Sequence, residues 1–166
     1  MNKIKKIKSL PGQESVWDYP RPPALQKVTK HIRIICSSEI ILDTNSSFRI
    51  LETSHPPTYY LPISDFKTDI ILRNENKSSF CEFKGMAHYY DIKAGDKIVE
   101  NCAWGYENPT NPYHELKDHV CVYSQYMDEC YVGDEKVLPQ PGGFYGGWIT
   151  SNIVGPFKGE PGSWGW

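Results

Sequence analysis

Apolar and polar residues alternate from Lys27 to Cys36. Val28, Ile32 and Ile34 share one face, and Lys27, Thr29, His31 and Arg33 share the other, which is the period-two signature of a half-buried strand. Ser37-Ser38 reads as a turn, 39–43 as the returning strand, 44–47 as a second turn and 48–53 as a third strand. The pattern thus predicts a three-strand meander. Farther on, 69–73 and 79–84 read as strands around a polar turn at 74–77. Segments 87–92 and 97–104 flank Ala94-Gly95-Asp96 as a hairpin, and 120–123, 129–132 and 136–138 complete the strands. Helical signal is scarce. Ser64 suits the cap of one short turn and 112–117 a short helix.

The remaining segments are rich in Pro and Gly. Residues 1–12 read as a flexible lead, and 13–166 as one domain. Within it, Trp17, Tyr19 and three prolines at 20–23 form an arm packed over the body. Ser54 to Pro62, with three prolines, must be irregular backbone, yet it carries aromatic rings. The tail from Pro139 holds eight of the 13 glycines. It is expected to be ordered loop, because exposing Phe144, Tyr145, Trp148 and Phe157 together would leave a large apolar patch. The fold class expected is all-β, with short antiparallel strands in two packed sheets and at most one or two short helices.

Composition narrows the function classes. Hydrophobic residues are 39% and charged residues 23% of the 166, ordinary for a globular chain. The net charge of −2 supplies no global basic field for nucleic acid or membrane. Lys3, Lys5, Lys6 and Lys8 read as a solvated end, and no apolar run follows them to make a secretory signal. The five cysteines stand singly, with no CxxC, which argues against a disulfide framework or a thiolate zinc site. They point to a reducing, cytoplasmic setting. No metal and no cofactor is expected, and nothing in the pattern specifies an oligomeric state.

Several blocks carry a family resemblance: Val-Trp-Asp-Tyr-Pro-Arg-Pro-Pro (16–23), Glu-Thr-Ser-His-Pro-Pro-Thr-Tyr-Tyr (52–60), Cys-Glu-Phe-Lys-Gly (81–85), Gly-Gly-Phe-Tyr-Gly-Gly-Trp-Ile-Thr-Ser (142–151) and Val-Gly-Pro-Phe-Lys-Gly-Glu-Pro-Gly (154–162). From about residue 14 to 166 the chain resembles the domain of unknown function 427 family, sometimes labelled nucleotidyltransferase-like. The resemblance implies a β-tent, similar in outline to methionine sulfoxide reductase B and to zinc-bearing exchange-factor domains. The chain lacks the cysteine pairs that hold zinc in those tents. Phe83 stands where the family usually carries Trp, which keeps a ring and loses an N–H donor.

Three groups of side chains are candidates for chemistry. Glu52 shares a strand face with Phe48 and Ile50, and His55 follows on a stiff Pro-Pro loop. They form either a catalytic acid/base pair or a tie for the loop. In the presumed strand 79–84, Cys81 and Phe83 face the core while Lys84 faces outward. Lys84 binds an anion or pairs with Glu52 or Glu82. Tyr59-Tyr60, Tyr89-Tyr90, Trp104 and Trp148 line a ligand pocket or are core. Gly142–Gly147 lacks the spacing of a phosphate loop, and His114 to His119 has one residue too many for a zinc-protease signature.

The reading that follows is a small domain binding an unidentified small molecule, anionic or nucleotide-like, in an aromatic-lined pocket. Glu52 and His55 would be the catalytic pair, with Tyr59, Tyr60, Lys84, Tyr89 and Trp148 holding the ligand. The alternative is a non-catalytic module holding a protein or peptide in the same cleft. Nucleic acid is the weakest partner, because aromatics are present without a basic stripe.

Overall fold

The computed structural model describes residues 3–166. Among them the strands are β1 (Glu14–Ser15), β2 (Ala24–Val28), β3 (Ile32–Cys36), β4 (Glu39–Thr44), β5 (Ser47–Leu51), β6 (Thr58–Pro62), β7 (Ile71–Cys81), β8 (Gly85–Ala94), β9 (Lys97–Gly105) and β10 (His119–Val122). They are followed by β11 (Glu129–Val132), β12 (Glu135–Lys136), β13 (Leu138–Pro139), β14 (Trp148–Ile149) and β15 (Ile153–Val154). A large sheet of seven strands runs β2-β5-β6-β10-β9-β8-β7, and a small sheet of four runs β12-β11-β3-β4. All pairings inside both sheets are antiparallel. Helical structure is confined to short 3-10 turns. The all-β expectation holds, and no helix among the described residues is long and apolar enough to cross a membrane.

The main core lies between the two sheets. Ile32, Ile34 and Leu42 of the small sheet pack with Tyr59, Leu61, Val120 and Val122 of the large one. Burying such side chains contributes about 1.5–3 kcal/mol each. The N-terminal arm packs separately: Val16 and Tyr19 meet Leu51 and Ile153. Ahead of it, the Ile7 N–H donates to Gly155 O at 3.1 Å. Of the expected flexible lead, Met1 and Asn2 lie outside the described residues.

Three local expectations need correction. The segment 54–62, expected to be irregular, is so only as far as Pro57, because Thr58–Pro62 forms β6 between β5 and β10 in the large sheet. The predicted meander is a two-stranded ribbon that changes sheets. β2 pairs with β5 in the large sheet as far as Val28↔Ser47, and β3 pairs with β4 in the small sheet from Ile32↔Thr44. Thr29–His31 and Asn45–Ser46 form the corner, so the strand predicted over 27–36 is two strands. The predicted turn at 74–77 is a bulge inside β7, where the register against β8 shifts between Asn74 and Ser78. β7 is an edge strand, exposed along most of its length, so its polar residues imitate a turn. The chain reverses instead at Glu82–Lys84. The short helix expected over 112–117 is a 3-10 turn at Asn111–Leu116. Ser64 does not cap its turn: it sits inside Ile63–Asp65, whose N-cap is Pro62 and which no side chain caps.

Candidate functional site

Period two decides which aromatics share a space. On β6, Tyr59 joins the main core while Tyr60 belongs to a second cluster on the opposite face of the large sheet. On β8, Tyr90 and Tyr89 divide in the same way. The second face carries Ile50, Tyr60, Ala87, Tyr89 and Trp104 as the floor of a cavity of about 380 Å³. Phe144, Tyr145 and Gly146 roof it. An alanine Cβ at position 146 would overlap the Trp104 indole, so only glycine lets the roof lie on that ring. The glycine-rich run thus serves close approach of backbone to a ring.

The polar end of the cavity is built from separate segments. β5 ends at Leu51, and the chain turns with the His55 N–H on Glu52 O at 3.0 Å. Ser54 takes φ +72° in that turn and is fully buried. The Lys158 N–H donates to Ser54 O at 2.8 Å, clamping the turn to the C-terminal segment. Across the cavity, the β7–β8 reversal presents Lys84. The Thr110 N–H donates to Lys84 O at 3.0 Å and the Thr110 hydroxyl donates to Phe83 O at 2.5 Å, which hold the reversal in place.

Glu52, His55, Tyr60, Lys84 and Tyr89 therefore line one cavity. Tyr59 and Trp148 do not. They stack on each other in the main core, with ring centroids 5.2 Å apart, and the Trp148 indole N–H donates to Val122 O. Lys84 is 8% exposed, and no hydrogen bond or ion pair reaches its ammonium among the described residues. Its Nζ lies 5.7 Å from the Tyr106 ring centroid, within reach of a cation–π contact. Neither carboxylate weighed as its partner, Glu52 or Glu82, forms an ion pair with it; Arg21 Nη2 lies 3.3 Å from Glu52 Oε2 and donates to Thr53 O at 2.9 Å.

His55 Nε2 is 3.4 Å from Glu52 Oε2, longer than a well-formed hydrogen bond. Its other nitrogen, Nδ1, lies 3.1 Å from Gln140 Nε2. Burial lowers the imidazole pKa to about 4, and the charges of Lys158, Arg21 and Lys84 push the same way against the opposing pull of Glu52. His55 is therefore neutral at pH 7. Burial holds the Tyr60 and Tyr106 phenols and the Cys121 thiol well above their usual pKa values, so none supplies an anionic nucleophile at neutral pH. No group of three or more His, Cys, Asp or Glu is placed to hold a metal ion among the described residues.

Gln140, Tyr145 and Lys158 were not legible as site residues. Each sits in irregular backbone more than 80 positions from Glu52, where no periodicity reports direction. The signal available was the 142–151 and 154–162 blocks themselves, which frame all but Gln140.

Residues 24–133 match the profile described as domain of unknown function (DUF427), a span that includes the cavity floor, Glu52, His55 and Lys84 but not the roof or Gln140. No curated protein matches the chain. On the extent of that match, the chain belongs to the DUF427 family.

Proposed function

We propose that this chain binds a small ligand that combines a planar ring with an anionic group. The observation that carries the reading is Lys84, a side chain only 8% exposed whose ammonium has no hydrogen bond or ion pair among the described residues and lines an aromatic cavity. A cation with little access to water and no counter-charge favours an anionic ligand. An anion on the ligand would supply that counter-charge, while Tyr60, Tyr89 and Trp104 offer faces for a ring. Lys158 also lines the cavity, but its ammonium is engaged, donating to Trp166 O at 2.7 Å. A cavity of about 380 Å³ suits a small molecule better than a peptide segment.

In this reading His55 serves the ligand as a hydrogen-bond donor. A neutral imidazole with a pKa near 4 is a poor proton acceptor at pH 7. Glu52, held by Arg21, stands 3.4 Å from Nε2 as a nearby negative charge and leaves that N–H to the ligand. The test is a thermal-shift titration with phenyl phosphate, benzoate and, as the uncharged control, benzyl alcohol. Wild type is expected to be stabilised by one or both anions and not by the control. Lys84→Met is expected to lose that shift. An equal shift in Lys84→Met, or a shift with benzyl alcohol alone, sinks the reading.

A further inference from the structure

Gln140 is 2% exposed and each of its amide atoms is engaged. The Gly147 N–H donates to its Oε1 at 3.0 Å. Its Nε2 donates to Lys158 O at 2.9 Å and faces His55 Nδ1 at 3.1 Å. The backbone contacts fix which end of the amide is which, because an N–H needs an acceptor and a carbonyl needs a donor. A flipped amide would set Oε1 against Lys158 O and Nε2 against the Gly147 N–H. The group facing His55 Nδ1 is therefore a donor, and Nδ1 must be an unprotonated acceptor.

We infer that Gln140 is a positioning residue that locks neutral His55 in the Nε2–H tautomer, so that the cavity reads a hydrogen-bond acceptor on its ligand. The remaining proton of the ring sits on Nε2, the nitrogen turned toward Glu52 and the cavity. Because Nε2–H makes no close hydrogen bond with Glu52, it is free to donate to a ligand oxygen. With the ammonium of Lys84 it forms a donor pair suited to a carboxylate or phosphate oxygen. The charged groups bearing on the ring are Glu52, Lys158, Arg21 and Lys84. Three of the four are cations, which resist a second ring proton. Gly147 is part of the lock: a Cβ there would stand 2.6 Å from Gln140 Oε1 and 2.7 Å from Pro56 O. The ligand class rests on the binding reading above, whereas the tautomer stands on the hydrogen bonds alone.

The experiment is long-range 1H–15N NMR of the full chain labelled with 15N-histidine. The His55 signals are picked out of the five histidines by their loss in His55→Asn. In wild type at pH 7, Nδ1 is expected to show the shift of an unprotonated nitrogen and Nε2 that of a protonated one. In Gln140→Glu the carboxylate accepts where the amide donated, and Nδ1 is expected to gain a proton. A protonated Nδ1 in wild type overturns the inference without need of any variant, and so does an unprotonated Nδ1 in folded Gln140→Glu. Titration with phenyl phosphate is the second arm. Binding is expected to move the His55 Nε2 signal, and Gln140→Leu is expected to weaken affinity roughly tenfold, about the worth of one donor. Phenyl phosphate that leaves every cavity signal unmoved defeats the binding reading but leaves the tautomer standing. Phenyl phosphate that binds without moving Nε2 overturns the acceptor-reading role.

Discussion

Lys84 sets its ammonium 5.7 Å from the Tyr106 ring centroid, and no ion pair reaches that charge among the described residues. The long apolar stem of the side chain packs while the head does without a counter-ion. Removing the charge and keeping the stem should therefore not destabilise the fold. Lys84→Met is expected to leave the urea midpoint unchanged or raise it, by up to about 1 kcal/mol. Lys84→Glu places a carboxylate in the same mostly buried position, in the cavity that Glu52 also lines, and is expected to cost about 2–4 kcal/mol. If Lys84→Met proves as destabilising as Lys84→Glu, the ammonium has an internal partner and the anion argument fails.

Burial gives His55 a direct effect on stability. Its pKa falls from 6.5 in the unfolded chain to about 4 in the fold. Between those values the unfolded state binds more protons, so stability rises with pH across that window. The contribution is complete above pH 6.5 and is lost as the pH falls toward 4. A shift of this size corresponds to about 3 kcal/mol at most. His55→Asn retains an acceptor for Gln140 without a titrating ring, and is expected to flatten this part of the curve. Urea midpoints of both proteins at pH 7, 5.5 and 4.5 give the comparison. Parallel curves would place the imidazole in water.

Gly146 tests the roof. A methyl group there would overlap the Trp104 indole, so either the ring or the loop must shift. Gly146→Ala is expected to cost about 1–3 kcal/mol and to weaken phenyl phosphate binding. Gly165, with open space around its added Cβ, is the control, and Gly165→Ala is expected to change neither. Equal melting curves for the two variants would mean that the loop does not rest on Trp104.

How far these features could be read from the chain depended on whether local pattern or distant contact decides them. Ala94-Gly95-Asp96 announced its hairpin because the turn residues carry the geometry themselves. Glu52 and Lys84 announced themselves as charges among apolar neighbours, and they do line one cavity. The corner at Thr29–His31 was missed although Lys30 falls on the otherwise apolar face of Val28 and Ile32; the pairing partners, β5 on one side and β4 on the other, show that the strand breaks there. Tyr59 and Tyr60 looked like one cluster, although the rule that separates them, period two, was in hand. Trp148 looked like a pocket wall because irregular backbone gives no facing, and it proves to be core.

That division of the aromatics between two faces has its own test. Trp148→Phe removes an indole N–H from Val122 O and shrinks a ring that is 1% exposed in the main core. It is expected to cost about 2–4 kcal/mol. Because Trp148 lies across the large sheet from Lys84, phenyl phosphate affinity should remain within about twofold, as for distant independent sites. Loss of binding in a folded Trp148→Phe protein would merge the two faces into one site.

The cysteines give an independent check on the cavity wall. Cys36, Cys102, Cys121 and Cys130 are at most 2% exposed, while Cys81 is half-buried and lines the cavity. A thiol reagent must reach sulfur as thiolate, and burial both blocks access and raises the thiol pKa at Cys102, Cys121 and Cys130. Native protein treated with a chromogenic disulfide reagent is expected to show one fast thiol, and urea-unfolded protein all five. Cys81→Ser should remove the fast phase. Phenyl phosphate, filling the space in front of Cys81, should slow it in proportion to occupancy. A fast phase that survives Cys81→Ser would put a different thiol at the surface, and one that ignores saturating ligand would put the bound anion somewhere other than this cavity.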